Sequence, residues 1–108
     1  ANIKNDAGEF VTPSLETVTN AGNAMLDQMS DNLTVSITNA KGKDVYPVSS
    51  YTYLLVFEKN KNPEKAKILK SFLIWALADG QKFAKELGYA PLPESVSKKA
   101  LDVINKIN

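Results

Sequence analysis

The chain has 108 residues, of which 44% are hydrophobic and 23% charged. This composition is typical of one globular domain and excludes disordered and collagen-like classes. Its 13 basic and 12 acidic residues leave a net charge of +1, so bulk charge does not favour binding to nucleic acid. The chain has no Cys and no His, which excludes most zinc and iron sites, disulfide bonds, thiol catalysis and His-based acid–base catalysis. Every basic residue is Lys, so the chain has no Arg that could bind a phosphate through two parallel hydrogen bonds.

The N-terminal part is predicted to contain a turn, a helix and a short strand. Residues 5–9 are polar and include a glycine, which indicates a turn. Thr12 and Pro13 are typical of the cap and the first position of a helix. Helical spacing places four residues on its buried side: Leu15, Val18, Ala21 and Met25. Residues 33–38 alternate apolar and polar side chains with period two, which indicates a half-buried strand.

The strongest strand pattern covers residues 51–57, which carry no charge and are β-branched, aromatic or leucine. Apolar side chains occupy both faces, as is typical of an interior strand that helices cover on both sides. The residues before it are a polar loop, 39–44, and the pair Tyr46 and Pro47. Because a proline disfavours helix at the residue before it, we expect Tyr46 to be extended.

Three helical segments are predicted in the second half of the chain. Asn62 and Pro63 open the first of them, and its broad apolar face should be deeply packed. That face consists of Ile68, Leu69, Phe72, Leu73, Trp75, Ala76 and Leu77. Asp79 is expected to cap a short second helix that ends at Leu87, with Gly88 as its left-handed stop.

The last helix is predicted to begin at Glu94, directly after Pro93. Its buried side is expected at Val96, Ala100, Val103 and Ile107. The helices together present more apolar surface than two short strands can cover, and a doubly buried strand needs hydrogen-bonded neighbours. We therefore expect the 108 residues to be a piece of a larger α/β unit, or a chain whose sheet another chain completes.

Two stretches of the chain carry a specific resemblance to a known family. Residues 43–56 contain the run Asp-Val-Tyr-Pro-Val-Ser-Ser, and residues 72–96 contain Gly-Gln-Lys followed by Leu-Gly-Tyr-Ala-Pro-Leu-Pro. Together with residues 5–16, they resemble the C-terminal part of the phosphate-binding protein of bacterial phosphate ABC transporters. These receptors are periplasmic binding proteins, and the resemblance covers nearly the whole chain.

The resemblance implies an α/β fold, namely the C-terminal portion of a two-lobed periplasmic-binding-protein fold with helices packed on an incomplete sheet. Residues 1–45 would form the end of one lobe, with a helix and a short strand. Residues 46–50 would be the crossover between the lobes, and residues 51–108 a strand and helices that complete the other lobe. Such receptors close around their ligand by a hinge motion. The hinge residues would be Tyr46, Pro47, Val48, Ser49 and Ser50.

The resemblance implies a role as scaffold and hinge in the receptor of an ABC-type phosphate uptake system, periplasmic or else secreted or at the cell surface. The family's phosphate ligands lie in an N-terminal part that this chain does not match, so no phosphate-binding residue is assigned. No catalytic residue, metal ligand or cofactor is expected, because no carboxylate pair has an accompanying base or nucleophile, and we do not predict an enzyme.

The partners implied for the complete receptor are inorganic phosphate and the membrane subunits of the transporter. The N-terminal remainder of the receptor, or a second chain, would complete the sheet. The alternative is a free-standing structural or interaction module. Such a module would assemble by strand addition with neighbouring subunits, giving a homo-oligomer or a filament.

Overall fold

The computed structural model describes residues 1–108, and most of its regular structure is helical. Three α-helices form the body of the fold: α1 (Leu15–Ala24), α2 (Pro63–Leu77) and α3 (Glu94–Ile104). Short 3-10 helices follow the first two of them, at Leu26–Gln28 and Asp79–Phe83. No helix has both the length and the hydropathy needed to cross a membrane.

The regular sheet is a small antiparallel hairpin near the N-terminus. Its strands are β1 (Ile3–Lys4) and β2 (Phe10–Val11), with Ile3 opposite Val11 and Lys4 opposite Phe10. The turn between them is the one that the polar residues 5–9 predict. Gly8 has a φ of +82° there, a conformation that glycine adopts without the steric cost of a Cβ. The chain therefore combines helices with a two-stranded sheet. This confirms the prediction that the fold contains both helices and strands.

The predicted cap of α1 is wrong by two residues. Ser14 is the cap: its hydroxyl accepts from the Thr17 N–H at 3.1 Å, and the Thr17 hydroxyl accepts from the Ser14 N–H at 2.9 Å. This reciprocal pair satisfies two N–H groups at the helix end, whereas a Thr12 cap would satisfy fewer. The Thr12 hydroxyl instead contacts the side chain of Asn2.

The buried side of α1 is narrower than predicted. Ala21 is fully buried, but Leu15 is 37% exposed, and the other two predicted members are only half-buried. The helix approaches Tyr51 and Pro93 at its smallest residue, Gly22. A Cβ at that position would lie 2.6 Å from the Tyr51 hydroxyl oxygen and 3.2 Å from Pro93 Cγ. Close backbone approach therefore replaces the packing of large side chains here.

Neither predicted strand in the middle of the chain pairs with another strand. Residues 33–38 keep the predicted alternation in burial, with Ile37 only 3% exposed between exposed neighbours. Residues 51–57 were predicted to be buried on both faces, and this is wrong: Leu55 is 96% exposed and Phe57 81%. The backbone of residues 51–56 makes no backbone hydrogen bond, because no neighbouring strand lies beside it.

The start of α2 is as predicted, but its packing is not. The Asn62 side chain accepts from the N–H groups of Glu64 and Lys65 at 3.0 and 3.1 Å, and Pro63 is the first helical residue. Two residues of the helix are buried, namely Ala66 and Leu73. Large side chains on the other side remain exposed: Ile68 at 70%, Phe72 at 53% and Trp75 at 46%. Deep packing of the whole face fails because nothing in the 108 residues covers that side.

After α2, the predicted cap and end of the short helix both differ from the structure. Asp79 makes no capping hydrogen bond, and its carboxylate pairs with the Lys82 ammonium at 2.7 Å. The 3-10 helix ends at Phe83 instead of Leu87. Gly88 has the predicted left-handed conformation, with a φ of +79°, but it follows a turn instead of directly ending the helix.

The last helix, α3, begins at Glu94 as predicted. The buried residues of the helix are Val96, Ala100 and Ile104, and Ile107 is buried just beyond it. The predicted member Val103 is only half-buried. The buried side thus repeats every four residues, which keeps neighbouring turns on one face.

Two separate clusters contain eight of the twelve buried hydrophobic residues. The first consists of Ala21, Ile37, Ala40 and Val45, and the second of Ala66, Leu73, Ile104 and Ile107. The accessible surface is 7595 Å², whereas a compact monomer of 11.8 kDa exposes about 5,900 Å². The radius of gyration is 15.4 Å, against about 13 Å for a compact chain of this length. The molecule is therefore elongated and incompletely covered.

Candidate functional site

The first half of the predicted hinge is tied to the N-terminal part of the chain. The Tyr46 N–H donates to the Thr17 carbonyl of α1 at 3.0 Å, and the Tyr46 hydroxyl reaches the Ala1 carbonyl at 3.5 Å. The buried Pro47 accepts at its carbonyl from the Asn39 N–H at 2.8 Å. These contacts attach the start of residues 46–50 to the elements around the first core cluster.

The second half of the predicted hinge is attached through Ser49 alone. Ser49 is 6% exposed; its hydroxyl donates to the Tyr46 carbonyl at 2.7 Å, and its carbonyl accepts from the Thr38 hydroxyl at 3.3 Å. Val48 is 64% exposed, and no backbone-to-backbone hydrogen bond involves residues 48–57. The hydrogen bonds of residues 46–50 are therefore made by Tyr46, Pro47 and Ser49.

Asn5 holds the loop that leads into the predicted hinge, although its sequence context predicted only a turn. Its side chain is buried, and Nδ2 donates to the carbonyls of Gly42, Lys43 and Val45 at 3.0, 2.6 and 3.2 Å. Its Oδ1 accepts from the Glu9 N–H at 3.1 Å. The three carbonyls lie 37 to 40 residues away along the chain, so no local pattern could have identified this residue.

Two tyrosines hold the beginning of residues 51–57 against the first core cluster. The Tyr53 hydroxyl donates to the Val35 carbonyl at 3.0 Å and accepts from the Val35 N–H at 3.3 Å. One phenol thus occupies both backbone groups that a neighbouring strand would otherwise pair. Tyr51 packs against the same cluster, and its hydroxyl is buried with no hydrogen-bond partner. Burial, and secondarily the nearby Tyr53, raises the pKa of the Tyr51 phenol.

An exposed aromatic group lies where α2 meets the following 3-10 helix. Trp75 stands between Phe72 and Phe83, with ring centroids 5.9 and 6.2 Å apart. Trp75 and Phe83 line an open cleft of about 480 Å³ together with Leu87 and Glu86. The cleft is mostly apolar, and an anion in it would meet the Glu86 carboxylate. The mostly apolar lining of the cleft is better suited to contact with another apolar surface than to binding of a small anion.

Gln81, in the Gly-Gln-Lys run, joins the end of α2 to the Leu-Gly-Tyr-Ala-Pro-Leu-Pro run at residues 87–93. Its Nε2 donates to the Ala76 carbonyl at 2.9 Å, and its Oε1 accepts from the Leu92 N–H at 2.8 Å. The neighbouring Asp79–Lys82 pair lies in solvent, where the hydrogen bond and charge of Lys82 lower the pKa of the Asp79 carboxyl. These residues shape a turn. The structure holds no group of three or more acidic side chains that could bind a metal ion.

Comparison with known proteins identifies relatives over almost the whole chain. The chain is 38% identical, over an alignment of 127 positions, to the phosphate-binding protein PstS of Methanocaldococcus jannaschii, covering 99% of this chain and 30% of that protein. It is 34% identical to the phosphate-binding protein PstS of Pasteurella multocida, covering 92% of this chain and 29% of that protein. No model of a known protein family matches the chain.

A more distant match has a different name. The chain is 26% identical to a putative serine/threonine-protein kinase/receptor of Acanthamoeba polyphaga mimivirus, covering 95% of this chain but 7% of that protein. The similarity to the two phosphate-binding proteins confirms the resemblance that the sequence runs predict. The chain spans less than a third of the length of these two relatives.

Proposed function

We propose that the chain is one part of a phosphate receptor of an ABC-type uptake system, and that it supplies scaffold and hinge but none of the phosphate ligands. One observation carries this proposal: proteins named phosphate-binding match nearly all of this chain, yet the chain spans less than a third of them. Their names describe binding proteins, which agrees with a role that is not enzymatic.

The uncovered apolar surface supports a role as one part of a larger receptor. Residues 53–57 and the outer side of α2 leave large side chains in water, including Leu55 at 96% and Ile68 at 70% exposure. Burying one such side chain stabilises a protein by about 1.5–3 kcal/mol. The remaining two thirds of a receptor would gain this stabilisation by covering the surface and by pairing the free backbone of residues 51–56.

The arrangement of the core supports the proposed division between two lobes. Every buried member of the first cluster lies in residues 21–45, and every buried member of the second lies in residues 66–107. The proposed crossover, residues 46–50, lies between these ranges and is held by hydrogen bonds on its N-terminal side. No backbone-to-backbone hydrogen bond involves residues 48–57, so lobe motion would bend the chain within this range.

A narrow contact between α1 and α3 bridges the two proposed lobe parts. The Thr19 hydroxyl donates to the Pro91 carbonyl at 3.0 Å, and the Ser95 hydroxyl donates to the Asn23 side chain at 2.9 Å. The close approach at Gly22 lies in the same contact. Small residues and few hydrogen bonds are suited to a pivot, because rotation there disturbs little buried surface.

In the complete receptor, the N-terminal remainder would bind inorganic phosphate and complete the sheet. The assembled receptor would act in the periplasm or at the cell surface, where it would dock on the membrane subunits of its transporter. This chain would carry the crossover and the helices that cover one lobe.

A chimera tests the proposal. This chain replaces the matching segment of the Methanocaldococcus jannaschii relative, and titration calorimetry measures inorganic phosphate binding. We expect stoichiometric binding by the chimera and none by the chain alone, with the relative lacking the segment as the negative control. A chimera that is folded by circular dichroism but binds no phosphate contradicts the receptor proposal. Stoichiometric micromolar binding by the isolated chain contradicts the scaffold role.

A further inference from the structure

We propose that Asn32 is the acceptor of an N-linked saccharide. Residues 32–34 are Asn-Leu-Thr, which fits the pattern Asn-X-Ser/Thr of N-glycosylation acceptors, where X is any residue except Pro. No other asparagine of the chain has Ser or Thr two residues after it. The inference rests on the proposed function in one respect, because acceptors of this kind lie in proteins that act outside the cell membrane.

The acceptor pattern lies in an exposed turn. Asn32 and Thr34 are both exposed, as are Ser30 and Asp31 before them, and only Leu33 is half-buried. A saccharide is bulky and hydrophilic, so the residue that carries it must lie at the surface. This polar turn is not part of the apolar surface that the rest of the receptor would cover. Asn32 therefore remains accessible in the complete receptor.

The turn leaves the reacting atom of Asn32 free. The Asn32 Oδ1 accepts from the Thr34 N–H at 3.2 Å and from the Ser30 hydroxyl. Leu33 has a φ of +67°, an uncommon left-handed conformation that turns the chain back toward the Asn32 side chain. The Asn32 Nδ2, to which a saccharide would be joined, makes no hydrogen bond, and neither does the Thr34 hydroxyl. Both groups that define the acceptor pattern are therefore available to an enzyme.

The chemistry is a substitution at the anomeric carbon of a saccharide carried on a lipid phosphate group. A bond forms between Nδ2 and that carbon, the bond from the carbon to the phosphate oxygen breaks, and the phosphate leaves with the electron pair. Nδ2 loses one of its two protons, and nothing is oxidised or reduced. The two hydrogen bonds to Oδ1 draw electron density from the amide, which makes the Nδ2 protons more acidic. They therefore favour the loss of the proton that this step requires.

The turn can change shape without disturbing the core. Every hydrogen bond of residues 30–34 is made within these five residues. Core contacts begin on either side, at Met29, which is 5% exposed, and at Val35, which packs against the first core cluster. An enzyme that modifies Asn32 must seat the acceptor segment in its own site. A turn with only local hydrogen bonds meets this need, because it can open independently of the core.

Glycosylation of the purified chain tests the inference. The chain is incubated with an oligosaccharyltransferase and an oligosaccharide linked to a polyprenyl diphosphate, and its intact mass is then measured. We expect the mass of one added oligosaccharide per chain, with peptide mapping locating it at Asn32. Asn32→Gln should abolish the addition. Asn39→Gln is the matched control and should be fully modified, because Asn39 is also exposed and has a φ of +49°, but Lys41 stands two residues after it.

Variants of Thr34 test whether the hydroxyl is recognised. Thr34→Val keeps the shape of the side chain and removes a hydroxyl that makes no hydrogen bond, so the circular dichroism should be unchanged. We expect this variant to lose the modification. Thr34→Ser restores a hydroxyl at the same position and should be modified. The pair of variants separates recognition by the enzyme from any effect on folding.

Three results overturn the inference: no added mass on the original chain, added mass that remains in Asn32→Gln, or full modification of Thr34→Val. Phosphate binding by the chimera is measured separately. A chimera that binds phosphate, together with a chain that accepts no saccharide, overturns the acceptor site alone. A chain that is modified at Asn32, together with a folded chimera that binds no phosphate, overturns the receptor proposal alone.

Discussion

Replacing Asn5 by alanine should destabilise the chain far more than a surface substitution. The buried Asn5 side chain donates from Nδ2 to the carbonyls of Gly42, Lys43 and Val45, and its Oδ1 accepts from the Glu9 N–H. Alanine would remove these hydrogen bonds and leave buried or partly buried groups without partners. A net hydrogen bond contributes about 0.5–1.5 kcal/mol, and an orphaned buried group costs about 1–3 kcal/mol. We therefore expect a loss of about 2–4 kcal/mol in the free energy of unfolding.

Urea denaturation followed by circular dichroism measures this loss. The matched control is Asn20→Ala, since Asn20 donates one exposed hydrogen bond, 3.1 Å long, to the Asp44 carbonyl of the same loop. The control should cost about 0.5–1 kcal/mol, as expected for one solvent-accessible bond. A loss at Asn5 no larger than at Asn20 would refute the idea that Asn5 holds the loop leading into the proposed hinge.

Three further predictions concern individual side-chain contacts. Tyr51→Phe should raise the free energy of unfolding by about 1 kcal/mol, because it removes a buried hydroxyl that has no partner; a lower urea midpoint would contradict this. Gly22→Ala should cost about 1–3 kcal/mol despite the higher helix propensity of alanine, since its Cβ would meet the Tyr51 oxygen at 2.6 Å. The double variant with Tyr51→Phe should recover part of that loss, and strict additivity would argue against the contact. Lys82→Met should raise the pKa of Asp79, which Lys82 now lowers, in an NMR titration of the carboxyl carbon. Because the folded-state pKa of Asp79 is lowered, the pair stabilises the folded state at pH values above the unfolded pKa. This stabilisation is lost as the pH falls through the folded-state pKa. An unchanged pKa would show that the pair does not form in solution.

Local signals in the sequence predicted the helix ends where only nearby residues decide them. Asn62 and Pro63 open α2, and Gly88 takes its left-handed conformation, because caps and positive φ depend on immediate neighbours. Thr12 failed as a cap because a reciprocal pair two residues later satisfies more N–H groups. The correct and the incorrect cap predictions both concern local hydrogen bonding. The structure was needed to choose between competing caps.

Burial could not be predicted in the same way, because it depends on what lies opposite a residue in space. Periodicity identified apolar faces on α2 and at residues 51–57, but it assumed that other elements cover them. In these 108 residues nothing does, and Leu55 and Ile68 lie in water. Asn5 was missed for the opposite reason, since its partners are distant in sequence and brought together only by the fold.

Hydrogen exchange in the chimera most directly tests whether the uncovered segment belongs inside a larger receptor. The amides of residues 52–56 have no partner in this chain by itself. When the rest of a phosphate-binding relative is joined to the chain, we expect these amides to exchange slowly, as in a central strand. Exchange of the same amides at the rate of an unstructured peptide, in a chimera that binds phosphate, would contradict the proposal that this chain completes the sheet of a phosphate receptor.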